Sequence, residues 1–277
     1  MSSTKSLMLQ GKRVLVTGSG RGIGRAIALI CHKHGAKVAI TSRTRSELQE
    51  TLLLANGQNE CSDESMRLFV TDVTNPSQVE SMVQEIVTEW GGLDILVNNA
   101  GGSQRPKAPV DTLNAEDLQS LLLLNVVGPQ IVTSAVLKYA MKKKSSEGVD
   151  RKIINISSKA GKVGLQNYSF YSASKFALEG MTSSWAKELL DRDILVHSIS
   201  PGMVDTKSFP KPANKPGVRS VEAIEDSLLL ALRASKEFTG HYVHADELDM
   251  VREQGLLDTA AWKAIDEPTF HVSSGTS

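Results

Sequence analysis

Tyr171 and Lys175 lie four residues apart in a segment that reads as helical from about Tyr168, so their side chains share one helix face. An ammonium held beside a phenol favours the phenolate and draws a group with an ordinary pKa of about 10 towards neutral pH. A tyrosine so placed is a general acid that can protonate an oxyanion, or a base for the reverse step. Ser158 stands thirteen residues earlier, just past the apolar run Ile153 to Ile156, where a hydroxyl can hold a carbonyl oxygen next to the phenol. The chain supplies its own control. Tyr139 and Lys143 have the same spacing, but the residue thirteen before Tyr139 is Val126, without a hydroxyl, and that pair runs into the solvated Lys142-Lys143-Lys144. The bland alternative for Tyr171, an aromatic packed under a lysine stem, ignores the serine and the strand before it.

The elements that must position these groups are legible upstream. Arg13 to Thr17 is a β-branched run, followed by Gly18-Ser19-Gly20-Arg21-Gly22-Ile23-Gly24 and a helical pattern from Arg25 to His34. A strand, a glycine turn and a helix N-terminus make an anion site, with Gly18, Ser19, Gly22, Ile23 and Gly24 read as backbone that approaches a phosphate. The spacing is T-G-x-x-x-G-x-G, since Ile23 stands where G-x-G-x-x-G needs its third glycine. The second strand, Ala36 to Thr41, ends in Ser42-Arg43, and the next acidic residue is Glu47. Arg43 at the strand end and Arg21 in the turn suit the 2′-phosphate of a dinucleotide, so NADP(H) is expected over NAD(H), against the alternative that both arginines are only solvated.

Further on, Met66 to Val70 is a third strand that leads to Asp72 and Val73, where a carboxylate faces the ligand crevice and can accept from the adenine amine. Asn75, rather than Asp72, is placed to cap the helix from Pro76. A fourth strand, Leu93 to Val97, ends in small residues, so that Asn99, Ala100 and Gly101 can lie against a ribose. Asn125 interrupts the apolar run LLLLNVVG of a helix that starts near Ala115. A buried amide is costly unless bonded, so Asn125 either anchors a proton relay behind Lys175 or is tied to a neighbouring strand.

With Thr17-Gly18-x-x-x-Gly22-x-Gly24, Asp72, Asn98-Asn99-Ala100-Gly101, Asn125, Ser158, Tyr171-x-x-x-Lys175 and Pro201-Gly202-x-x-x-Thr206, the chain resembles the short-chain dehydrogenase/reductase family over about residues 11 to 206. The resemblance implies that Asn125, Ser158, Tyr171 and Lys175 carry the chemistry. Hydride would pass between a nicotinamide and a carbonyl carbon while Tyr171 gives or takes the proton, Ser158 polarises the carbonyl, and Lys175 also holds the nicotinamide ribose. Thr206, with Pro201, Gly202 and Val204 beside it, would meet the carboxamide end of the cofactor. The implied fold is an α/β, Rossmann-type, doubly wound parallel sheet forming a single domain. The sequence supports it separately, with strands near residues 13, 36, 66, 93, 152, 194 and 241 alternating with helical segments. In relatives the helices matching 115 to 141 and 171 to 190 pack subunits together, which implies a homotetramer or homodimer.

Departures from the family pattern begin after Thr206. Residues 207 to 219 form a Pro-rich loop where the family places a mobile lid, expected over about 205 to 220. Lys207, Lys211, Lys215 and Arg219 recur every fourth residue, but Pro210, Pro212 and Pro216 preclude one helical face, so they are read as a solvated loop. The last strand, Gly240 to His244, lacks a V-D-G-G ending, and a C-terminal extension over about 245–277 includes a helical-looking segment from Asp246 to Ile265. His197 reads as a satisfied core histidine.

Thirty-one basic and thirty-one acidic residues cancel, which leaves no global field for nucleic acid or an anionic membrane. Two cysteines, Cys31 and Cys61, suggest a reducing compartment, and a cytoplasmic protein is the expectation. His241 and His244, like His32 and His34, diverge rather than cluster, and no metal site is expected. Ser103, Gln166, Tyr168, Met203 and Phe209 are expected to shape the pocket of a small carbonyl or alcohol substrate. A ketone or secondary alcohol leads, with a 3-oxoacyl thioester as a second substrate class and a non-catalytic NADP-binding sensor as the reading from another class.

Overall fold

A computed structural model describes residues 7–57, 65–142, 151–207, 209–211, 215–246 and 248. Cys61, Lys143 and all but the first residues of the predicted C-terminal helix lie outside them. Seven strands form one parallel sheet: β1 (Arg13–Thr17), β2 (Lys37–Ser42), β3 (Met66–Val70), β4 (Ile95–Asn98), β5 (Arg151–Ile156), β6 (Ile194–Ser200) and β9 (Tyr242–His244). Their order is β3-β2-β1-β4-β5-β6-β9, and a separate short ribbon pairs β7 (Met203–Val204) with β8 (Val218–Arg219). The strands are apolar because both faces are covered. Val14 and Val16 point into one core layer with Ile95 and Val97, whereas Leu15 and Leu96 point into the other.

Helix α1 (Gly22–Lys33), helix α2 (Arg45–Asn56) and helix α6 (Ile224–Arg233) cover the first face. Helix α3 (Pro76–Trp90), helix α4 (Ala115–Ala140) and helix α5 (Ser169–Leu189) cover the second. The expected Asn75 cap is present, its Oδ1 accepting from the Gln78 amide at 3.1 Å. The helix Ala115–Ala140 is long and apolar, with a hydropathy of 1.7 in its richest stretch, yet it is a layer of this fold, packed on α3 and α5. It is not a regular helix. It widens to i→i+5 turns at Leu123–Val127 and Val136–Ala140. Pro129 explains the first: it has no N–H for the Asn125 carbonyl, and its ring would clash with that carbonyl in a normal turn. His197 is fully buried in β6, and burial among Lys152 and His241 pushes its pKa down to about 3, which keeps it neutral as expected of a core histidine.

Candidate active site

Strand order reverses between β1 and β4, and above their C-terminal ends the chain leaves a cavity of about 700 Å³. One end of it is the glycine turn. Gly18 (φ 65°) and Gly22 (φ 56°) hold left-handed backbone, and a Cβ on Gly24 would stand 2.3 Å from both Asn99 Nδ2 and the Gly18 carbonyl oxygen. Asn99 Nδ2 donates to the carbonyls of Thr17 at 2.8 Å and Gly18 at 3.1 Å, so the end of β4 locks the turn. Helix α1 begins without a side-chain cap or an acidic residue in its first turn, which leaves free amides and the positive helix end beside the cavity that Gly22, Ile23 and Gly24 line. That cradle fits a pyrophosphate. Ser19 differs from expectation. It is buried, its Oγ donating to the Val16 carbonyl at 2.9 Å and accepting from the Thr41 amide at 2.8 Å, so it braces the turn instead of lining the cavity.

Ser42, Arg43, Asp72 and Val73 form the adjoining wall. Asp72 accepts from the Thr74 amide at 2.9 Å and the Thr74 hydroxyl at 2.7 Å, and these bonds hold its carboxyl below the usual range. Arg43 is 73 % exposed and reaches Asp72 only at 4.0 Å, whereas Arg21 forms a 2.7 Å ion pair with Glu47. In the sequence Glu47 stands out only as the next acidic residue, and its pairing with Arg21 does not show. Gly20 is the signal that could have revealed it: a Cβ there would meet Glu47 Cβ at 3.0 Å and Ser42 Oγ at 2.9 Å, so only glycine lets α2 approach the turn.

At the other end stand Ser158, Tyr171 and Lys175, with Asn99, Ala100 and Gly101 lining the wall between the two ends. Ser158 opens a 3-10 turn, Lys159–Gly161, and accepts from the Ala160 amide at 3.2 Å. The turn fits against α5 because Gly161 has no side chain; a Cβ would lie 2.9 Å from the Lys175 carbonyl oxygen. Lys175 is buried, and its Nζ donates to the Ile156 carbonyl at 2.8 Å. Burial lowers its pKa to about 8, against the opposing pull of Glu179.

The expected depression of the Tyr171 pKa is not found: burial raises it, a hydrogen bond with Ser158 only partly opposing. The lysine Nζ stands 5.8 Å from the phenol ring centroid and is committed to a backbone carbonyl, so desolvation wins. Asn125 is held by three bonds. Its Oδ1 accepts from the Gly102 amide at 2.8 Å, and its Nδ2 donates to the Gly102 carbonyl at 2.9 Å and to Ser174 Oγ at 3.0 Å. It ties the loop after β4 to α5, one residue before Lys175, rather than bonding the lysine.

Pro201, Gly202, Val204 and Thr206 line the cavity opposite the glycine turn, with Thr206 Cγ2 3.3 Å from where a Gly22 Cβ would be. Ser103, Tyr168, Met203 and Phe209 also line it, the Tyr168 and Phe209 rings packing 6.1 Å and 6.4 Å from that of Tyr171. Gln166 does not: it is exposed on the loop before α5, and Leu165 takes the wall position. Nor is the basic loop merely solvated, because Lys211 and Lys215 line the cavity while Arg219 pairs with Asp246 at 2.9 Å. Gln104 carries no signal in the sequence pattern. Buried after β4, it accepts from the Phe170 amide at 2.9 Å and donates to the Asn167 carbonyl at 3.1 Å, pinning the start of α5. No group of three potential metal ligands occurs among the described residues.

Known proteins agree with this geometry. The family model described as short chain dehydrogenase matches residues 12–215. An oxidoreductase of Staphylococcus aureus (strain USA300) is 35% identical over 199 residues, covering 72% of this chain and 80% of the relative. The 3-oxoacyl-(acyl-carrier-protein) reductase FabG of Thermotoga maritima is 30% identical over 252 residues, 87% of this chain and 98% of the relative. Among solved structures, a short chain dehydrogenase of Shigella flexneri complexed with NADP superposes with a TM-score of 0.77 at 27% identity, covering 87% of this chain and all of the other. ElxO with NADP bound superposes at 0.75 and 26% identity, over 85% and 97% of the two chains. Motifs, topology and relatives therefore agree, and the chain belongs to the short-chain dehydrogenase family.

Proposed function

We propose that the protein is an NADP(H)-dependent oxidoreductase that interconverts a ketone and a secondary alcohol, with Tyr171 as the general acid and base. The observation that carries this reading is that one cavity joins the uncapped start of α1 to the Ser158, Tyr171 and Lys175 group. The cofactor, when bound, supplies or accepts the hydride. Ser158 orients the carbonyl oxygen towards the phenol, and Tyr171, kept protonated by burial, donates its proton to the developing alkoxide. Lys175 supplies positive charge as the phenolate forms, and Asn125 with Ser174 fixes the helix that carries both groups. Arg21 and Arg43, at the opposite end, suit a 2′-phosphate, and NADP in two of the similar structures supports that choice. Exposed Leu123, Val127 and Phe176 on α4 and α5 support a homo-oligomer, and the two cysteines support a cytoplasmic protein.

A second reading, reduction of a 3-oxoacyl thioester, is favoured by the match to nearly the whole of the Thermotoga maritima reductase. The test is NADPH and NADH oxidation against simple ketones, keto sugars and a 3-oxoacyl thioester, with Tyr171→Phe alongside. The variant should lose about 10³-fold in turnover and keep its NADPH affinity; a variant with full turnover refutes the proposed acid. Turnover of the thioester alone selects the second reading, and NADPH binding without any reduction selects a sensor.

A further inference from the structure

The cavity wall around Tyr171 carries an unbalanced charge. Three carboxylates line the cavity, and each faces an arginine: Glu47 pairs with Arg21 at 2.7 Å, Asp246 with Arg219 at 2.9 Å, and Asp72 lies 4.0 Å from Arg43. Besides Lys175, four lysines line it, Lys107, Lys159, Lys211 and Lys215, and among the described residues none of these four forms an ion pair.

Two of these lysines are placed with unusual regularity about the phenol. Lys107 Nζ stands 5.1 Å from the centroid of the Tyr168 ring, and that ring is 6.1 Å from Tyr171. Lys211 Nζ stands 6.0 Å from the Phe209 ring, which is 6.4 Å from Tyr171. A cation resting on an aromatic face is weakly held and readily given up to a true counter-ion. Each ammonium is thus one aromatic ring removed from the phenol, and Lys159 directly follows Ser158.

Resting on the reading of Tyr171 as the proton donor, we infer that the carbonyl substrate carries an anionic group, a carboxylate or phosphate, seated between Lys107 and Lys211. The two aromatic rings flank the body of the substrate, and the lysines bind its charged end. The spacing suits a small molecule with its anion about one ring's breadth from the ketone. A carrier-bound acyl group would bring its phosphate at the end of a pantetheine arm, many bonds further away. Lysines rather than arginines fit this task because a flexible point charge accepts either kind of anion.

The experiment is calorimetric titration of the NADP-loaded and cofactor-free protein with 4-acetylbenzoate and with its methyl ester, which present the same ketone with and without the charge. NADPH oxidation is recorded for both compounds. The acid should bind about tenfold tighter than the ester, as expected for charge-assisted contacts of this kind. Lys107→Gln with Lys211→Gln should bring the ratio close to one, and Lys33→Gln, a charge change on the far end of α1, should leave it. Equal binding of acid and ester, or a preference that survives the double variant, overturns the inference. The two readings separate: acid-selective binding with no NADPH oxidation by the acid or by any member of the carbonyl panel above keeps the anion subsite and refutes the reductase, while equal binding and turnover of the two compounds does the reverse.

Discussion

The Arg21–Glu47 pair gives the sharpest test of how the cofactor is chosen. Arg21 lies in the glycine turn and Glu47 in the first turn of α2, and their 2.7 Å contact is partly open to water, with side chains 44% and 21% exposed. A pair of that exposure is worth about 0.5–1 kcal/mol. A 2′-phosphate that recruits Arg21 must first displace Glu47 and then tolerate its charge nearby. Glu47→Gln keeps the shape, removes the competing charge and frees the guanidinium. The two contributions come to about 1 kcal/mol, or roughly fivefold in affinity. NADPH, titrated by its fluorescence at low salt, should therefore bind the variant about fivefold more tightly, and NADH, which lacks the phosphate, should bind unchanged. Raising the ionic strength should shrink the gain, because the terms are Coulombic and partly exposed. Equal effects on NADH and NADPH, or weaker NADPH binding, would show that Glu47 positions the turn and that Arg21 does not meet the phosphate.

Other outcomes follow from the same geometry. Because burial raises the Tyr171 pKa above its ordinary value of about 10, the group is protonated throughout the neutral range; reduction should be flat from pH 6 to 7 and fall as Lys175 loses its charge through about 8, and alcohol oxidation, which needs the phenolate, should climb about tenfold per pH unit over 6 to 8. An oxidation rate already level at pH 7 would refute this. Lys175→Met should abolish turnover yet stabilise the cofactor-free protein at pH 7. Holding this ammonium at a folded pKa of about 8 against an unfolded 10.4 costs about 3 kcal/mol, and losing the bond to the Ile156 carbonyl returns about 1 of it. Since the folded pKa is the lower one, wild-type stability recovers as pH rises from 8 to 10, so the melting-temperature gap should close over that window. A less stable variant would overturn the account. Gln104→Ala leaves the first amides of α5 without their acceptor, and should cost about 1–2 kcal/mol of stability and lower kcat with little change in NADPH affinity.

Much of the frame was legible because it depends on short-range patterns. β1, β3 and β6 run where their apolar segments lie, and Asn75 caps α3 because an Asx side chain followed by proline has few other uses. The glycine turn was legible for a similar reason: each glycine answers a contact that a Cβ would prevent. What escaped were relations between elements. Glu47 meets Arg21 only because Gly20 lets α2 close on the turn, and Gln104 reaches the start of α5 across 66 residues of sequence. The wide turn that holds Asn125 had a local cause that the sequence analysis did not use, the proline four residues later.

The error over Tyr171 has a physical origin that reaches beyond this residue. A four-residue spacing on a helix guarantees that two side chains are neighbours; it says nothing about the medium between and around them. Here the medium decides. Burial disfavours the charged form of each partner, so it drives the phenol up and the ammonium down, and the lysine's strongest contact is with a strand carbonyl rather than the phenol. The consequence is a division of labour between states. In the free protein the phenol keeps its proton, as a donor for reduction must, and the charge that lowers the cost of phenolate is held beside it in reserve. Reduction then starts from the resting protonation state of the site, whereas oxidation must first remove a proton from a buried phenol.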